Sequence, residues 1–321
     1  MTQRQYPIEI SAPDISVYRQ GNTGVEYITQ FDSGRSGPHV MISAVVHGNE
    51  LCGAIALDWL LQQEVRPQVG RLSLAFMNVM AFESFDVEQP SASRYVDEDF
   101  NRLWSAAVLD GDRDSCELRR ARTVRPLLDE VDVLLDIHSM QQCNTALTLC
   151  GPLDKGRTLA LALGSPAYVV ADSGHAAGKR MRDYAGFGDS ASPKNSLLVE
   201  CGQHWEESSA WIAKDQCIRF LNQHNMLKPQ FVEAHLQTQF SVAQKIVEAT
   251  GPVTIKTDEF RFTQDFIGME VIAEAGTLIA MDGDEEIRTP YEDCVLIMPS
   301  LHKGKGDSAV RLGRMVSASG D

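Results

Sequence analysis

Long apolar runs that alternate with helical stretches constrain the fold of this chain most strongly. Residues 40–46 (VMISAVV) and 131–138 (VDVLLDIH) are dominated by β-branched and aliphatic side chains, which is typical of strands buried on both faces of a sheet. Further apolar runs lie at 71–79, 145–150, 167–172 and 196–201. Helical periodicity separates several of these runs, at 51–65, 116–131, 156–164 and 209–225. The alternation predicts an α/β fold with a mixed, largely parallel central sheet and helices on both faces.

The start and the end of the chain deviate from this alternation. Residues 25–31 form another predicted strand, which we expect to pair with 40–46 as a hairpin or as a neighbour. From about residue 228 the chain contains short strand-like pieces punctuated by Gly and Pro, a pattern typical of a small all-β unit. We therefore predict a domain at 1–227 and a small β-rich C-terminal domain at 228–321.

The charge and the cysteines restrict the partners and the compartment. The chain carries 44 acidic and 29 basic residues, a formal net charge of -15, so we expect neither nucleic acid nor a membrane as a partner. An anionic substrate is still compatible, because a few arginines inside a pocket reverse the local potential. Seven scattered cysteines without a CxxC pair, and an N-terminus without a secretory signal, favour a soluble cytoplasmic protein.

Polar residues that follow two of the apolar runs suggest a metal site. The run 40–46 leads to His47 and Glu50, and the run 131–138 ends on His138. Hydrolytic zinc sites take three protein ligands from His and carboxylate side chains and keep a fourth position for water. The HxxE spacing alone also fits a solvated turn, but the carboxyl ends of buried strands are where α/β sheets bind ligands. We therefore predict that these three residues hold one zinc ion.

Asp136 lies two residues before His138, on the same face of the predicted strand. Its carboxylate is suited to accept a hydrogen bond from the imidazole and so fix the tautomer. An ordinary salt bridge is the other interpretation of this residue.

Four motifs follow one another in a fixed order between about residues 40 and 205. They are HGNE (47–50), RYVDEDFNRLW (94–104), DIHS (136–139) and LLVECG (197–202). In this order and at these intervals they resemble the succinylglutamate desuccinylase and aspartoacylase family, which is itself related to zinc carboxypeptidases. Each motif alone is weak evidence, whereas the ordered set is specific.

The resemblance implies roles for five further side chains. Glu200 matches the family's general base, which takes a proton from the zinc-activated water and returns it to the leaving amine. Arg94 matches the guanidinium that polarises the scissile carbonyl. Asn101 and Arg102 match the residues that hold a substrate carboxylate, and Asp99 is expected to orient these groups. Taken singly, the arginines and Glu200 also fit ordinary ion pairs.

The segment before the general base departs from the aspartoacylase pattern. Ser190 stands where counting along the chain places that enzyme's extra substrate-binding arginine, although Arg180 and Arg182 lie just upstream. Tyr291 is only a candidate for the family's C-terminal tyrosine. His204 fits either contact with the substrate or a cap on the following helix. The acyl group of the substrate is therefore left open.

These features together predict a zinc-dependent amidohydrolase that cleaves a small N-acyl amino acid, of desuccinylase, aspartoacylase or deacetylase type. A zinc carboxypeptidase acting on peptides is the second hypothesis. A non-catalytic binding protein stabilised by zinc is the third, although structural zinc sites usually have four protein ligands. A homo-oligomer is expected only because it is common among cytosolic enzymes.

Overall fold

The computed structural model describes residues 6–174, 177–300 and 304–317, which form two β-sheets flanked by helices. The strands are β1 (Ile28–Asp32), β2 (His39–Ala44), β3 (Arg71–Phe76), β4 (Val133–Met140), β5 (Leu147–Leu149), β6 (Tyr168–Ala171), β7 (Asn195–Gln203), β8 (Lys245–Thr254), β9 (Phe260–Phe262), β10 (Glu270–Ile272), β11 (Leu278–Asp282), β12 (Glu285–Arg288), β13 (Cys294–Ile297) and β14 (Ser308–Val316). The α-helices are α1 (Leu51–Gln62), α2 (Val79–Glu83), α3 (Ala106–Leu109), α4 (Cys116–Asp129), α5 (Asp154–Leu163), α6 (Glu207–Gln223) and α7 (Pro229–His235). The four longest helices, α1, α4, α5 and α6, coincide with the predicted helical stretches.

The larger sheet has eleven strands in the order β1-β3-β2-β4-β7-β5-β6-β8-β14-β13-β10. Strands β3, β2, β4 and β7 run parallel to one another, and so do β5, β6 and β8. Antiparallel pairs occur at β1, between β7 and β5, and among the C-terminal strands. The predicted mixed sheet with a largely parallel centre is therefore confirmed.

Helices cover both faces of the parallel strands, as predicted. In β2, Val40 and Ile42 belong to the core that includes α1 and α6, whereas Met41 belongs to the core on the other face, with Leu118 and Val124 of α4. Successive residues of a strand point to opposite faces, so both faces are apolar only if consecutive residues of the strand are apolar. This explains why the central strands were visible in the sequence as unbroken apolar runs.

The predicted pairing of the first two strands is wrong. β1 pairs antiparallel with β3, and β3 lies between β1 and β2 in the sheet. The crossover through α1 returns the chain beside β2 in the parallel direction, so β3 occupies the position next to β2. β1 then pairs along the outer edge of β3.

The C-terminal residues are rich in short strands, as predicted, but they extend the larger sheet. Gly251 and Pro252 do not interrupt the chain here, because they lie within one strand, β8, which pairs with β6 and β14. Strands β9, β11 and β12 form the second, three-stranded antiparallel sheet. Because the larger sheet crosses the expected boundary at residue 228, a separable domain at 228–321 stays a prediction.

A buried ion pair ties the helical layer to the segment that leads into β8. Arg219 of α6 donates to Asp215 Oδ2 (2.6 Å), to the carbonyl of Leu163 (2.9 Å) and to Ser241 Oγ (2.9 Å). The second carboxylate oxygen of Asp215 accepts from the backbone N–H of Gln237 (3.1 Å). Both side chains are buried, so their hydrogen bonds replace those that water would provide.

We expect Arg219→Met to lower the free energy of unfolding by about 3–5 kcal/mol, because it leaves the Asp215 carboxylate buried without its cation. Urea unfolding followed by circular dichroism measures the change. Lys256→Met is the matched control, since Lys256 pairs with Glu285 at an exposed position and should contribute at most about 1 kcal/mol. Equal effects of the two substitutions would contradict the structural role of Arg219.

Candidate metal centre and active site

The three predicted metal ligands lie at the carboxyl ends of two neighbouring parallel strands. His47 and Glu50 are in the connection between β2 and α1, where Glu50 is the N-cap residue of the helix. His138 is near the end of β4, which pairs in parallel with β2. Parallel strands end at the same edge of a sheet, so the topology brings the three side chains together.

Gly48 allows this connection to pass close to a neighbouring loop. A Cβ atom on Gly48 would lie 2.3 Å from the carbonyl carbon of Ala81 and 2.4 Å from the carbonyl oxygen of Ser93. The N–H of Gly48 donates to the carbonyl of Arg94 (3.1 Å), which fixes the two loops to each other. Any side chain at this position would push His47 and Glu50 away from His138.

The ligand atoms of His47, Glu50 and His138 all lie within 4.8 Å of one another, and the three side chains are buried. Nδ1 of His47 is 2.7 Å from one carboxylate oxygen of Glu50, and Nδ1 of His138 is 2.9 Å from the other. Two imidazole nitrogens and a carboxylate that converge in this way match the donor set of hydrolytic zinc sites.

The second nitrogen of each imidazole is held by a carboxylate. Nε2 of His138 is 2.9 Å from Asp136 Oδ2, and Nε2 of His47 is 2.9 Å from Asp99 Oδ1. Asp136 also accepts from Ser43 Oγ (2.7 Å), which orients its carboxylate. Aspartates in these positions direct the Nδ1 lone pairs of both imidazoles toward a metal.

The motif 94–104 surrounds Asp99. Asp99 accepts from the backbone N–H of Asn101 (2.9 Å) and from the Arg94 guanidinium (3.1 Å). The Arg102 guanidinium donates to the carbonyl of Asn101 (2.8 Å) and lies 3.9 Å from the Asp99 carboxylate. Burial would raise the pKa of Asp99, but His47 and the two arginines hold it below its usual range. The structure therefore gathers all four of these predicted residues beside the metal ligands.

Glu200 lies next to His138, because β7 pairs in parallel with β4 and the two residues are partners in the register. Its carboxylate is buried, and Oε2 has no hydrogen-bond partner among the described residues. Burial raises the pKa of Glu200 to about 8, although His138 opposes the shift. In its ionised form the carboxylate is thus a stronger base than one exposed to water.

A pocket of about 190 Å³ opens onto the metal ligands. All the predicted site residues except Asp99 face this cavity. The residues that line it include His47, Glu50, His138, Glu200, Arg94, Asn101, Arg102 and His204. Part of the wall comes from the C-terminal strands and the loop between them: Ile297, Met298, Pro299, Ser300, Val310 and Arg311. The residues 228–321 therefore contribute directly to the shape of the site.

The family model for the succinylglutamate desuccinylase/aspartoacylase catalytic domain matches residues 36–206, just over half of the chain. The chain belongs to this family. The matched region contains the three predicted metal ligands, Glu200 and the motif 94–104. The members are deacylating hydrolases, and the resemblance stated from the four motifs is confirmed.

Solved structures of family members share the fold over most of the chain. The succinylglutamate desuccinylase of Vibrio parahaemolyticus is 15% identical with a TM-score of 0.63, over 91% of this chain and 87% of that chain. A succinylglutamate desuccinylase/aspartoacylase from Rhodobacter sphaeroides is 18% identical with a TM-score of 0.64, over 91% and 90%. The product-bound ectoine utilization protein EutE from Ruegeria pomeroyi is 17% identical with a TM-score of 0.61, over 91% and 92%. No curated protein sequence matches the chain.

Two charged residues of the pocket, Asp172 and Arg311, were missed in the sequence. Asp172 follows β6 and accepts from Arg180 (2.6 Å) and from Arg311 of β14. All three line the pocket, whereas only Arg180 had been considered. Asp172 closes an apolar run, as His138 does, and could have been found by the same argument. Arg311 has no such signal, because its place in the pocket depends on the pairing of β14 with β8.

Two other candidates lie elsewhere. Arg182 is buried, but its guanidinium donates to the carbonyls of Cys150 and Ser196 (both 2.9 Å) and holds strands together. The Tyr291 hydroxyl bonds to Thr250 Oγ1 (2.5 Å), away from the residues that line the pocket.

Among the described residues, no helix is both long enough and apolar enough to cross a membrane.

We expect Gly48→Ala to weaken binding of the predicted zinc ion by about tenfold or more, because displacing the predicted ligands costs at least as much affinity as the loss of an outer hydrogen bond to a ligand. Titration with zinc and a competing chelator measures the affinity. Gly251→Ala is the control, since a Cβ atom there would meet open space. Wild-type zinc affinity in a folded Gly48→Ala protein would contradict the role of this glycine.

Proposed function

We propose that the protein is a zinc-dependent amidohydrolase that cleaves the amide bond of a small N-acyl amino acid. One observation carries the proposal: the ligand atoms of His47, Glu50 and His138 converge beside an unpartnered oxygen of Glu200, in one pocket. A metal donor set next to a free, buried carboxylate is the arrangement that metal-assisted hydrolysis requires.

The residues present fit a zinc ion. His47 and His138 offer Nδ1, Glu50 offers its carboxylate, and Asp99 and Asp136 hold the outer nitrogens. The buried carboxylates of Glu50 and Asp136 contact the two imidazoles and carry negative charge that a divalent cation would compensate. When bound, zinc would polarise the acyl carbonyl and lower the pKa of a water molecule.

Glu200 moves the proton in the proposed reaction. Its Oε2 atom accepts a proton from the water that attacks the acyl carbon, and it then donates this proton to the amine nitrogen as the C–N bond breaks. The products are a carboxylate and a free amine. The buried position of Glu200 keeps bulk water from competing for this proton.

Arg94, Asn101 and Arg102 bind and orient the substrate in this proposal. The Arg94 guanidinium is anchored by Asp99 and donates to the oxyanion that develops on the acyl oxygen. Among the described residues the nearest carboxylate to Arg102 is that of Asp99, 3.9 Å away, so we assign its guanidinium to the carboxylate of the amino acid together with the Asn101 amide. The C-terminal wall of the pocket limits substrate length, which favours a small N-acyl amino acid over a peptide.

The test of this function is hydrolysis of a panel of N-acetyl and N-succinyl amino acids by the zinc-loaded protein. We expect Glu200→Gln to lower kcat about a hundredfold or more while zinc content is unchanged, because the amide cannot accept the proton. Glu207→Gln is the control at an exposed position. Full activity of Glu200→Gln would contradict the assignment of Glu200 as the general base. Turnover of tripeptides alone would favour a carboxypeptidase.

We expect Arg102→Lys to raise KM about tenfold with little change in kcat, because lysine cannot form the forked pair with a carboxylate. Steady-state kinetics on the best substrate of the panel measure the change. The same substitution should have no effect on an N-acyl amine that lacks the carboxylate. Arg113→Lys, at an exposed ion pair, is the control variant. An equal loss on both substrates would contradict the assignment.

A further inference from the structure

Three side chains that line the pocket carry a buried polar atom without a hydrogen-bond partner among the described residues. These atoms are Oε2 of Glu200, Nε2 of His204 and Nε2 of Gln142. The proposed reaction uses the Glu200 oxygen and leaves the two nitrogens without a role. A buried polar atom that lacks a partner is costly, so its presence in a pocket indicates a group that a ligand satisfies.

His204 is fixed at the end of β7. Its backbone N–H donates to the carbonyl of Met140 (2.9 Å), and its Nδ1 lies 2.8 Å from Ser139 Oγ. The side chain is 1% exposed. Burial lowers the pKa of His204 to about 3, so the imidazole is neutral at physiological pH. A neutral imidazole has one N–H donor and one acceptor nitrogen.

The contact with Ser139 determines which nitrogen carries the proton. If the Ser139 hydroxyl donates to Nδ1, only the Nε2–H of His204 lacks a partner. If Nδ1–H donates to Ser139 instead, both the hydroxyl proton and the Nε2 lone pair are unsatisfied among the described residues. The first arrangement leaves fewer unmet groups and therefore places the proton on Nε2, as an N–H donor of a residue that lines the pocket.

Gln142 offers a second donor of the same kind. Its Oε1 accepts from the Tyr6 hydroxyl (2.9 Å), which identifies Nε2 as the amide nitrogen that is left unpaired. The Asn144 side chain donates to the carbonyl of Gln142 (3.2 Å) and holds the loop after β4 in place. Two residues that line the pocket thus each carry an uncharged, buried N–H donor without a partner among the described residues.

We propose that Nε2 of His204 and Nε2 of Gln142 form a subsite that binds an oxygen atom of the substrate's acyl group. This inference rests on the proposed function, because it assigns a binding site to the acyl group of the N-acyl amino acid. The carboxylate of the amino acid has a cationic partner in Arg102. Ser139 connects His204 to Glu50, because its hydroxyl contacts Nδ1 of His204 and its backbone N–H donates to Glu50 Oε2 (3.3 Å).

The oxygen could belong to the scissile carbonyl or lie further along the acyl group, and kinetics separate the two. A scissile oxygen gains negative charge in the transition state, so loss of a donor lowers kcat on every substrate. A distal oxygen keeps its charge, so the same loss raises KM only for substrates that carry it. An N-acetyl amino acid has the first oxygen alone, whereas an N-succinyl amino acid has both.

The variants are His204→Phe and Gln142→Met, which keep approximate size and remove the donor. We expect each to lower kcat/KM about threefold to tenfold on the oxygen-bearing substrate, with zinc content and unfolding midpoint unchanged. His204→Asn keeps an N–H donor and should recover part of the loss. His224→Phe and Gln216→Met are matched controls, because both residues lie outside the pocket and have a buried side-chain nitrogen with no partner in the described part of the chain.

Two measurements do not depend on turnover. Nitrogen-15 NMR of the histidine side chains should show His204 as the neutral tautomer protonated at Nε2, and Ser139→Ala should perturb its signals. Calorimetry with acetate and succinate on the zinc-loaded protein should show weaker binding in His204→Phe. If the wild type hydrolyses nothing, the proposed function fails, but these results still decide the subsite. The proposed subsite would be overturned if His204 were the Nδ1–H tautomer, or if kinetics and binding were unchanged in both variants.

Discussion

The parallel pairing of β2, β4 and β7 is the constraint on which the rest of the site depends. The register places Ser43 opposite Asp136 and His138 opposite Glu200, so a support for one imidazole and the free carboxylate lie on adjacent strands. Backbone hydrogen bonds fix this register, and both faces of the strands are packed. A slip of one residue would turn His138 away from Glu50, so the apolar packing of the core also maintains the geometry of the polar site.

The polar groups at this edge form one continuous chain of alternating acids and imidazoles. It runs from Asp136 through His138, Glu50 and His47 to Asp99. Each link is a contact of 2.7–2.9 Å, and each member restricts the rotation of the next. Such a chain is costly to bury without a compensating cation, and it holds the donor atoms in place before a metal arrives.

The sequence predicted the residues at strand ends better than the pocket around them. His47 and His138 were found because buried strands appear in the sequence as apolar runs, and a polar residue at the end of such a run is easily recognised. The order of strands was not accessible in the same way, because pairing of β1 with β3 depends on a crossover and not on proximity in sequence. Arg311 and the unpaired nitrogens of His204 and Gln142 were inaccessible for a related reason, since hydrogen-bond satisfaction is a property of the folded chain.

The C-terminal strands continue the same sheet that carries the proposed metal ligands, and this has a consequence for how substrate range can change. Residues 36–206 hold the groups proposed for the chemistry, whereas residues 297–300 and 308–311 supply part of the pocket wall. Substitutions in the second stretch can change which molecules fit without disturbing the first. Part of the substrate range can therefore change through residues that lie outside the stretch with the proposed chemistry.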